Sequence, residues 1–360
     1  MKFLTSALLI LLWPLFVFAN EVKVKDAPAI SLDEIGLLNN KQSPLGYNMW
    51  QSSDGEFVKD LLSFLPINSE SEGFNHLKDF LLLTSARVPK KNGQAVSITD
   101  IKFKHLALAG RWQALADIIK LIPANMVTDE IKRYYFIALI SADKIPDACG
   151  QIDGFTDNIA DLFWRKMLVL CQLNEGKKQA VELSISLLKE DGVSLQDEFL
   201  QYVYAKDKNK PAKLDALLFS MIPLQKHKTD KLPEISILQM QEEFRKALAD
   251  FETLSADETV SKLSEAALLA DFYGLGISNR NWQNIILYSL SNNINSGSLA
   301  FSALLDDAFE NNRKGEAALI SLLIISNNSY SDLYFKALRV LSDLGFAAQV
   351  KILAMEKIAK

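Results

Sequence analysis

The sequence predicts an all-α protein built from stacked helix–turn–helix units. Three observations predict it. Apolar residues recur at helical spacing through most of the chain. No segment shows sustained strand alternation bounded by hairpin turns. Short breaks recur at even spacing, with a period of about 33 residues. Hydrophobic residues make up 49% of the chain, ample for a core. Ten prolines and fifteen glycines are few for 360 residues, which suits long helices joined by short turns.

The first element is an address. Lys2 gives a short positive start, Phe3 to Phe18 is apolar with Pro14 in its second half, and Val17-Phe18-Ala19 places small or modest residues before a break. That is the layout of a secretory signal peptide over residues 1–19, cleaved after Ala19. The apolar run is short for a bilayer span, which needs about 20 residues. No later stretch approaches one, so no membrane span is expected after cleavage. Of the Lys and Arg residues only Lys2 precedes Ala19, whereas all 44 acids follow it. The mature chain would carry 38 basic residues, a net charge of −6. A nucleic-acid binder normally shows a basic excess, so that class is disfavoured.

Residues 20–55 read as an extended arm, with Val22 and Val24 alternating with charges and Pro28, Asn39, Asn40, Pro44 and Gly46 punctuating the rest. From Glu56 the pattern is helical: Phe57, Leu61, Leu62 and Leu65, then Leu77, Phe80 and Leu81. Further segments of helix length run near 98–109, 112–122, 129–141, 157–173, 177–190, 195–205, 212–221, 234–251, 257–272, 280–292, 298–311, 315–326, 331–344 and 346–359. Start signals accompany several of them. Ser97-x-x-Asp100, Ser194-x-x-Asp197, Ser255-x-x-Glu258 and Ser329-x-x-Asp332 place a hydroxyl where it would accept from an orphan amide at a helix start.

The breaks lie at Gly110, near Asp143, at Gly176 and near Asn209, and an Ala-bearing helical stretch follows each, as in Gln179-Ala180-Val181-Glu182-Leu183. Gly315-Glu316-Ala317-Ala318 and Gly345-Phe346-Ala347-Ala348 repeat the turn-then-Ala pattern near the end of the chain. Over roughly 98–222 and 298–360 the chain resembles the tetratricopeptide-like class, in degenerate form, because the Trp, Tyr and closing Pro positions of a strict repeat are not matched. The resemblance implies a curved α-solenoid of the bacterial envelope, in two repeat regions, 56–222 and 223–360. It is also broadly similar to the superhelical stalk of periplasmic lytic transglycosylases. One hairpin cannot bury its own apolar face, whereas stacked hairpins share a continuous core.

Cys149 and Cys171 are the only cysteines. In an exported protein an even pair implies a disulfide. The two sit on neighbouring helical segments, and a connection of about seven residues spans roughly 20 Å, enough for the chain to double back. Between the halves lies a basic stretch with Lys206, Lys208, Lys210, Lys213, Lys226, Lys228 and Lys231 against Asp207, Asp215 and Asp230. It reads either as solvated turns flanking a helix or as a patch for an anionic partner.

Chemistry-bearing motifs are absent. His76, His105 and His227 lie far apart without ligand spacing, and His105 sits in an apolar helix where a packed side chain is the ordinary reading. No nucleophile elbow or phosphate loop is found, and Gly274-Leu275-Gly276 lacks a preceding strand. Glu70-Ser71 is the one Glu-Ser pair of the transglycosylase kind. Glu72-Gly73-Phe74 follows it in place of the Gly-Leu-Met-Gln run, so it reads as a polar turn before a helix. The acid pairs Asp306-Asp307 and Glu242-Glu243 read as solvated helix faces. Trp112, Trp164, Trp282, Tyr134, Tyr135, Tyr202, Tyr204, Tyr330 and Tyr334 fall at helical positions. They are either inter-repeat core or anchors on a binding face. The expectation is a periplasmic or secreted, non-enzymatic interaction or scaffold protein, with no catalytic residue, cofactor or metal. It would hold a protein or peptide of the envelope, or peptidoglycan. The alternative is a cell-wall-processing accessory or degenerate enzyme related to the transglycosylase stalk.

Overall fold

A computed structural model of the protein describes residues 31–152, 161–194, 196–204, 220–222, 279–292 and 297–359, together with 258, 260, 261, 263 and 264. The signal segment and residues 20–30 of the arm lie outside the described residues. So do all seven lysines of the basic stretch, the segment expected over 234–251, most of those expected over 212–221 and 257–272, Asn209, His227 and the pair Glu242-Glu243.

Fourteen α-helices form among the described residues, with almost no sheet. The first pair is α1 (Gly55–Phe64) and α2 (Glu72–Leu83). Asp54 starts α1 by accepting from the amides of Glu56 and Phe57 at 2.9 and 3.2 Å. The helix buries Phe57, Val58, Leu61 and Leu62 on one face. Ser71 starts α2 by accepting from Phe74 N–H at 3.0 Å, so Glu70-Ser71 is a helix start.

The expected arm is compact where it is described. Residues 31–54 form a short 3₁₀ turn and a chain of turns that lace onto the segment after α2. Leu37 and Leu38 donate to Leu83 O, Ser85 returns to Leu38 O, and Arg87 donates to Tyr47 O at 2.7 Å. Leu45, Met49 and Trp50 are buried. Proline and asparagine do break the helical pattern there, but they shape turns that carry apolar residues into the core. A two-residue hairpin, β1 (Lys90–Lys91) with β2 (Gln94–Ala95), turns on Asn92-Gly93, both at positive φ.

The next run comprises α3 (Thr99–Leu108), α4 (Trp112–Lys120), α5 (Asp129–Ser141), α6 (Ile145–Cys149), α7 (Leu162–Asn174), α8 (Lys178–Glu190) and α9 (Glu198–Tyr204). The last run comprises α10 (Asn279–Ser291), α11 (Ser298–Glu310), α12 (Lys314–Ser326), α13 (Tyr334–Asp343) and α14 (Ala347–Ala359). Successive helices pack on each other from α3 through α8 and from α10 through α14, and α9 packs on α7. One turn recurs. At Gly110, Asp143 and Gly176, evenly spaced along the chain, φ is 70°, 59° and 74°. In each case the next residue's amide reaches back into the last turn of the helix: Arg111 to Leu106 O, Lys144 to Leu139 O, Lys177 to Gln172 O. This left-handed closure satisfies the carbonyls that end the helix. Asn312 and Gly345 repeat it at the same spacing, with Arg313 reaching Ala308 O and Phe346 reaching Leu341 O. The expected turn at Gly315 is thereby corrected. The left-handed residue is Asn312, and Gly315 lies inside α12.

The capping expectations are partly corrected. Asp197, not Ser194, caps α9 through the amides of Phe199 and Leu200. Neither Ser97 nor Asp100 caps α3. Asp33 does so from 65 positions away, its Oδ1 accepting from Ile98 N–H at 2.6 Å and Thr99 N–H at 2.8 Å. In the same way Glu356 of α14 accepts from the amide of Glu72 at the start of α2, at 2.8 Å. The side chains of Ser255 and Ser329 lie outside the described residues.

Ser31–Lys360 is one compact unit. Within it α1 packs on α10 and α12, and α2 packs on α12 and α14, so the first hairpin sides with the last helices. Phe80 meets Phe346 edge-on at 5.5 Å. Helix α12 explains the arrangement. Gly315 to Ile324 are buried without a break, so no polar face is left to turn outward and the helix must be surrounded.

Cys149, the last residue of α6, is disulfide-bonded to Cys171 in α7, with Cα atoms 5.4 Å apart. The bond ties a five-residue helix, too short to hold itself, to a thirteen-residue one. Replacing either cysteine with serine should lower stability by about 2–5 kcal/mol. Urea unfolding of the oxidised protein checks this, since the same loss should follow from reducing the wild type.

Candidate functional site

Helices α2 and α3 carry three basic side chains into the N-terminal core. Lys78 Nζ donates to the carbonyls of Pro66 and Ile67, Lys102 Nζ to Ile35 O at 2.6 Å, and His105 Nε2 to Leu62 O at 2.9 Å. The Lys78 and His105 contacts lie at or just past the end of α1, where carbonyls lack helical partners and the dipole favours a donor. Burial pushes the Lys102 ammonium down to about 8 and the His105 imidazole down to about 4. These groups brace loops, and His105 is a packed side chain, not a ligand. His105 also makes the fold acid-sensitive. An unfolded chain takes up a proton at histidine near pH 6.5, which folded His105, beside the Lys78 and Lys104 charges, refuses until about pH 4. Stability from this group is therefore complete above pH 6.5 and falls on acidification through that window, by up to about 3 kcal/mol. His105→Gln keeps a donor for Leu62 O and should flatten the slope of unfolding free energy between pH 6.5 and 4.

Of the two readings of the aromatic residues, inter-repeat core holds for most. Trp164, Trp282, Tyr134, Tyr330 and Tyr334 are buried, whereas Trp112, Tyr135 and Tyr202 are half-buried. The acids are not all solvated faces either. Asp306 pairs with Lys336, and Asp307 with the buried Arg313, which also holds Glu316.

A ladder of charges links successive hairpins. Arg133 stands in α5 ahead of the Asp143 turn, and Lys166 stands in α7 at the same remove from the Gly176 turn. Arg133 binds Asp161 at 2.7 Å, the residue that caps α7 through Phe163 N–H, and its guanidinium lies 5.2 Å from the Phe163 ring. Lys166 binds Asp197 at 2.7 Å, the residue that caps α9, and its ammonium lies 5.8 Å from the Phe199 ring. Each cation thus joins the cap and a ring of the next hairpin's first helix. Lys166 is only 5% exposed, a burial that a lysine tolerates only when paired. Trp164 Nε1 adds a bond back to Asp129 at 2.9 Å.

One step earlier the same positions hold different residues. At the same remove from the Gly110 turn stands Asp100, the cap facing it is Thr128, and the ring position is Glu130. These three line a cleft of about 330 Å³ between the starts of α3 and α5. Its floor includes Phe103 and Tyr134, edge-on at 5.7 Å, with Met126 and Ile131. Asp33 is also at the rim, but its Oδ1 is engaged by the start of α3. Burial and the charge of Asp100 raise the Glu130 carboxyl above its usual range. Neither Asp100 nor Glu130 has a hydrogen bond or ion pair among the described residues. The sequence shows Asp100 at the same offset from its turn as Arg133 and Lys166 from theirs, but not that it lines a cleft with Glu130.

No family model matches the chain, and neither a curated protein nor a solved structure is similar to it. Among the described residues no group of three or more His, Cys, Asp or Glu side chains is placed to hold a metal ion. No helix among them is long and apolar enough to cross a membrane.

Proposed function

We propose that the protein is an exported, non-enzymatic interaction or scaffold protein, a degenerate tetratricopeptide-like α-solenoid that holds a protein or peptide of the cell envelope. The observation that carries this reading is the recurring unit itself. The same left-handed turn closes hairpins at an even spacing, and the same cation-to-cap bond links α5 to α7 and α7 to α9. Helical repeats locked in register present extended surfaces suited to polypeptide partners. The signal-like layout of residues 1–19 and the Cys149–Cys171 bond support an oxidising destination, periplasmic or secreted.

Expression with a C-terminal affinity tag, followed by fractionation and mild cross-linking, tests the reading. The mature protein should begin at Asn20 in the periplasmic or medium fraction and should yield a reproducible protein adduct. Recovery in the cytosol with Met1 retained would overturn export. Co-sedimentation with purified peptidoglycan, and no protein adduct, would replace the reading with that of a cell-wall-processing accessory.

A further inference from the structure

The charge ladder is complete at two steps and reversed at a third. At the α5–α7 and α7–α9 junctions the protein supplies its own cation, Arg133 or Lys166, between acids and an aromatic ring. At the α3–α5 junction the equivalent place is bordered by Asp100 and Glu130 and opens to solvent as the cleft of about 330 Å³. We propose that this cleft binds a lysine or arginine side chain of a partner polypeptide, seated where Arg133 and Lys166 sit at the next two junctions. The inference rests on the functional reading above and names the chemistry of the partner.

The alternatives fit less well. Around the cleft the other acids are engaged. Asp33 accepts from the amides of Ile98 and Thr99, and Asp129 is held by Arg133 and Trp164. Only Asp100 and Glu130 remain without a hydrogen bond or ion pair among the described residues, and burial and the charge of Asp100 raise the Glu130 carboxyl against a smaller opposing effect of Arg133. Two like charges beside a partly dry wall favour an added cation. A divalent metal would need hard oxygen ligands converging on a point, and the cleft's carboxylates do not gather in such a group. The floor of Phe103, Ile131 and Tyr134 is apolar and aromatic, which suits an alkyl stem and a flat or ammonium head group. The cleft volume lies at the lower end of the range for organic ligands, about 300–1,000 Å³.

The test is fluorescence anisotropy of the mature protein, oxidised, with a labelled unstructured peptide of alternating lysine and alanine. Binding is expected at low salt, and it should weaken as salt rises. Asp100→Asn with Glu130→Gln should weaken it about tenfold. Glu182→Gln with Glu190→Gln, which removes the same charge from α8, should leave it unchanged. Asp100→Lys with Thr128→Asp should complete the ladder internally, abolish peptide binding and keep or raise the melting temperature. Failure of the wild type to bind would overturn the proposal. So would equal weakening in the α8 control, binding that survives Asp100→Lys with Thr128→Asp in a folded protein, or displacement of the peptide by millimolar calcium chloride. An envelope partner captured equally well by wild type and the Asp100→Asn, Glu130→Gln protein would overturn the cleft alone and leave the functional reading standing. The absence of any partner would count against that reading itself.

Discussion

Trp50→Ala is expected to lower the stability of the folded chain by about 3–5 kcal/mol, the range for emptying a buried aromatic site. Trp50 is nearly fully buried, and its ring lies directly on the backbone of α12. A Cβ built on Gly315 would stand 2.6 Å from a ring carbon of Trp50 and 3.0 Å from Met49 O, while Gly315 N–H donates to that same oxygen at 2.9 Å. The glycine is there because indole and backbone occupy the space a side chain would need. Gly315→Val should therefore also cost about 3 kcal/mol or more, as overpacking that neither rigid backbone can relieve. The two losses share one contact, so Trp50→Ala combined with Gly315→Val should be less damaging than their sum. Chemical unfolding of the four proteins measures this. Simple additivity would mean that Trp50 and Gly315 do not meet, and that the turns of residues 31–54 are not seated on α12.

The second large effect is expected at the turn before α12. Arg313 is buried, its Nε donates to Glu316 at 3.0 Å, and its Nη2 donates to both Asp307 and Glu316. Glu316 has no exposed surface, and desolvation by burial raises its carboxyl despite Arg313 beside it. Arg313→Met would strand that carboxylate, at a cost of about 3–5 kcal/mol near neutral pH. Arg313→Met with Glu316→Leu should recover most of the loss, because no buried charge then lacks a partner, while Asp307 retains access to water. The deficit of the single variant should shrink as pH falls. Its Glu316 would have a folded pKa above that of the unfolded chain, so protonation removes the penalty on the acid side and ionisation restores it as pH rises. A deficit independent of pH would mean that the loss comes from packing, not from an unpaired charge.

Much of the helical content can be read from local pattern. Helix α5 is expected over 129–141 and is observed there, because Thr128 caps it and its apolar residues repeat at helical spacing. The turns at Gly110, Asp143 and Gly176 are equally legible, since glycine and aspartate tolerate the left-handed backbone that ends a helix. The Cys149–Cys171 bond is legible from the count of two cysteines in a chain that reads as exported. The hairpin on Asn92-Gly93 escapes a reading by periodicity although its turn signal is plain. Two-residue strands are too short to show alternation.

The charge ladder lies between these extremes. Arg133 and Lys166 are visible as charges at matching places in successive units, but whether they point to solvent or to the next hairpin is set by packing. Asp100 gains its meaning only when the fold shows what occupies the same place one and two hairpins later.

From sequence alone came the helices, most of their boundaries, the recurring turn and the disulfide. All are local, or depend on counting two residues, and local sterics and helical periodicity decide them. Tertiary structure alone decided that residues 31–54 fold inward, that Asp33 and Glu356 cap helices far from them in sequence, and that α1 and α2 join α12 and α14. It also decided that Asp100 and Glu130 share a cleft. These outcomes depend on which buried surfaces fit one another across distant parts of the chain. Complementarity of shape and charge at that range leaves no periodic mark on the sequence.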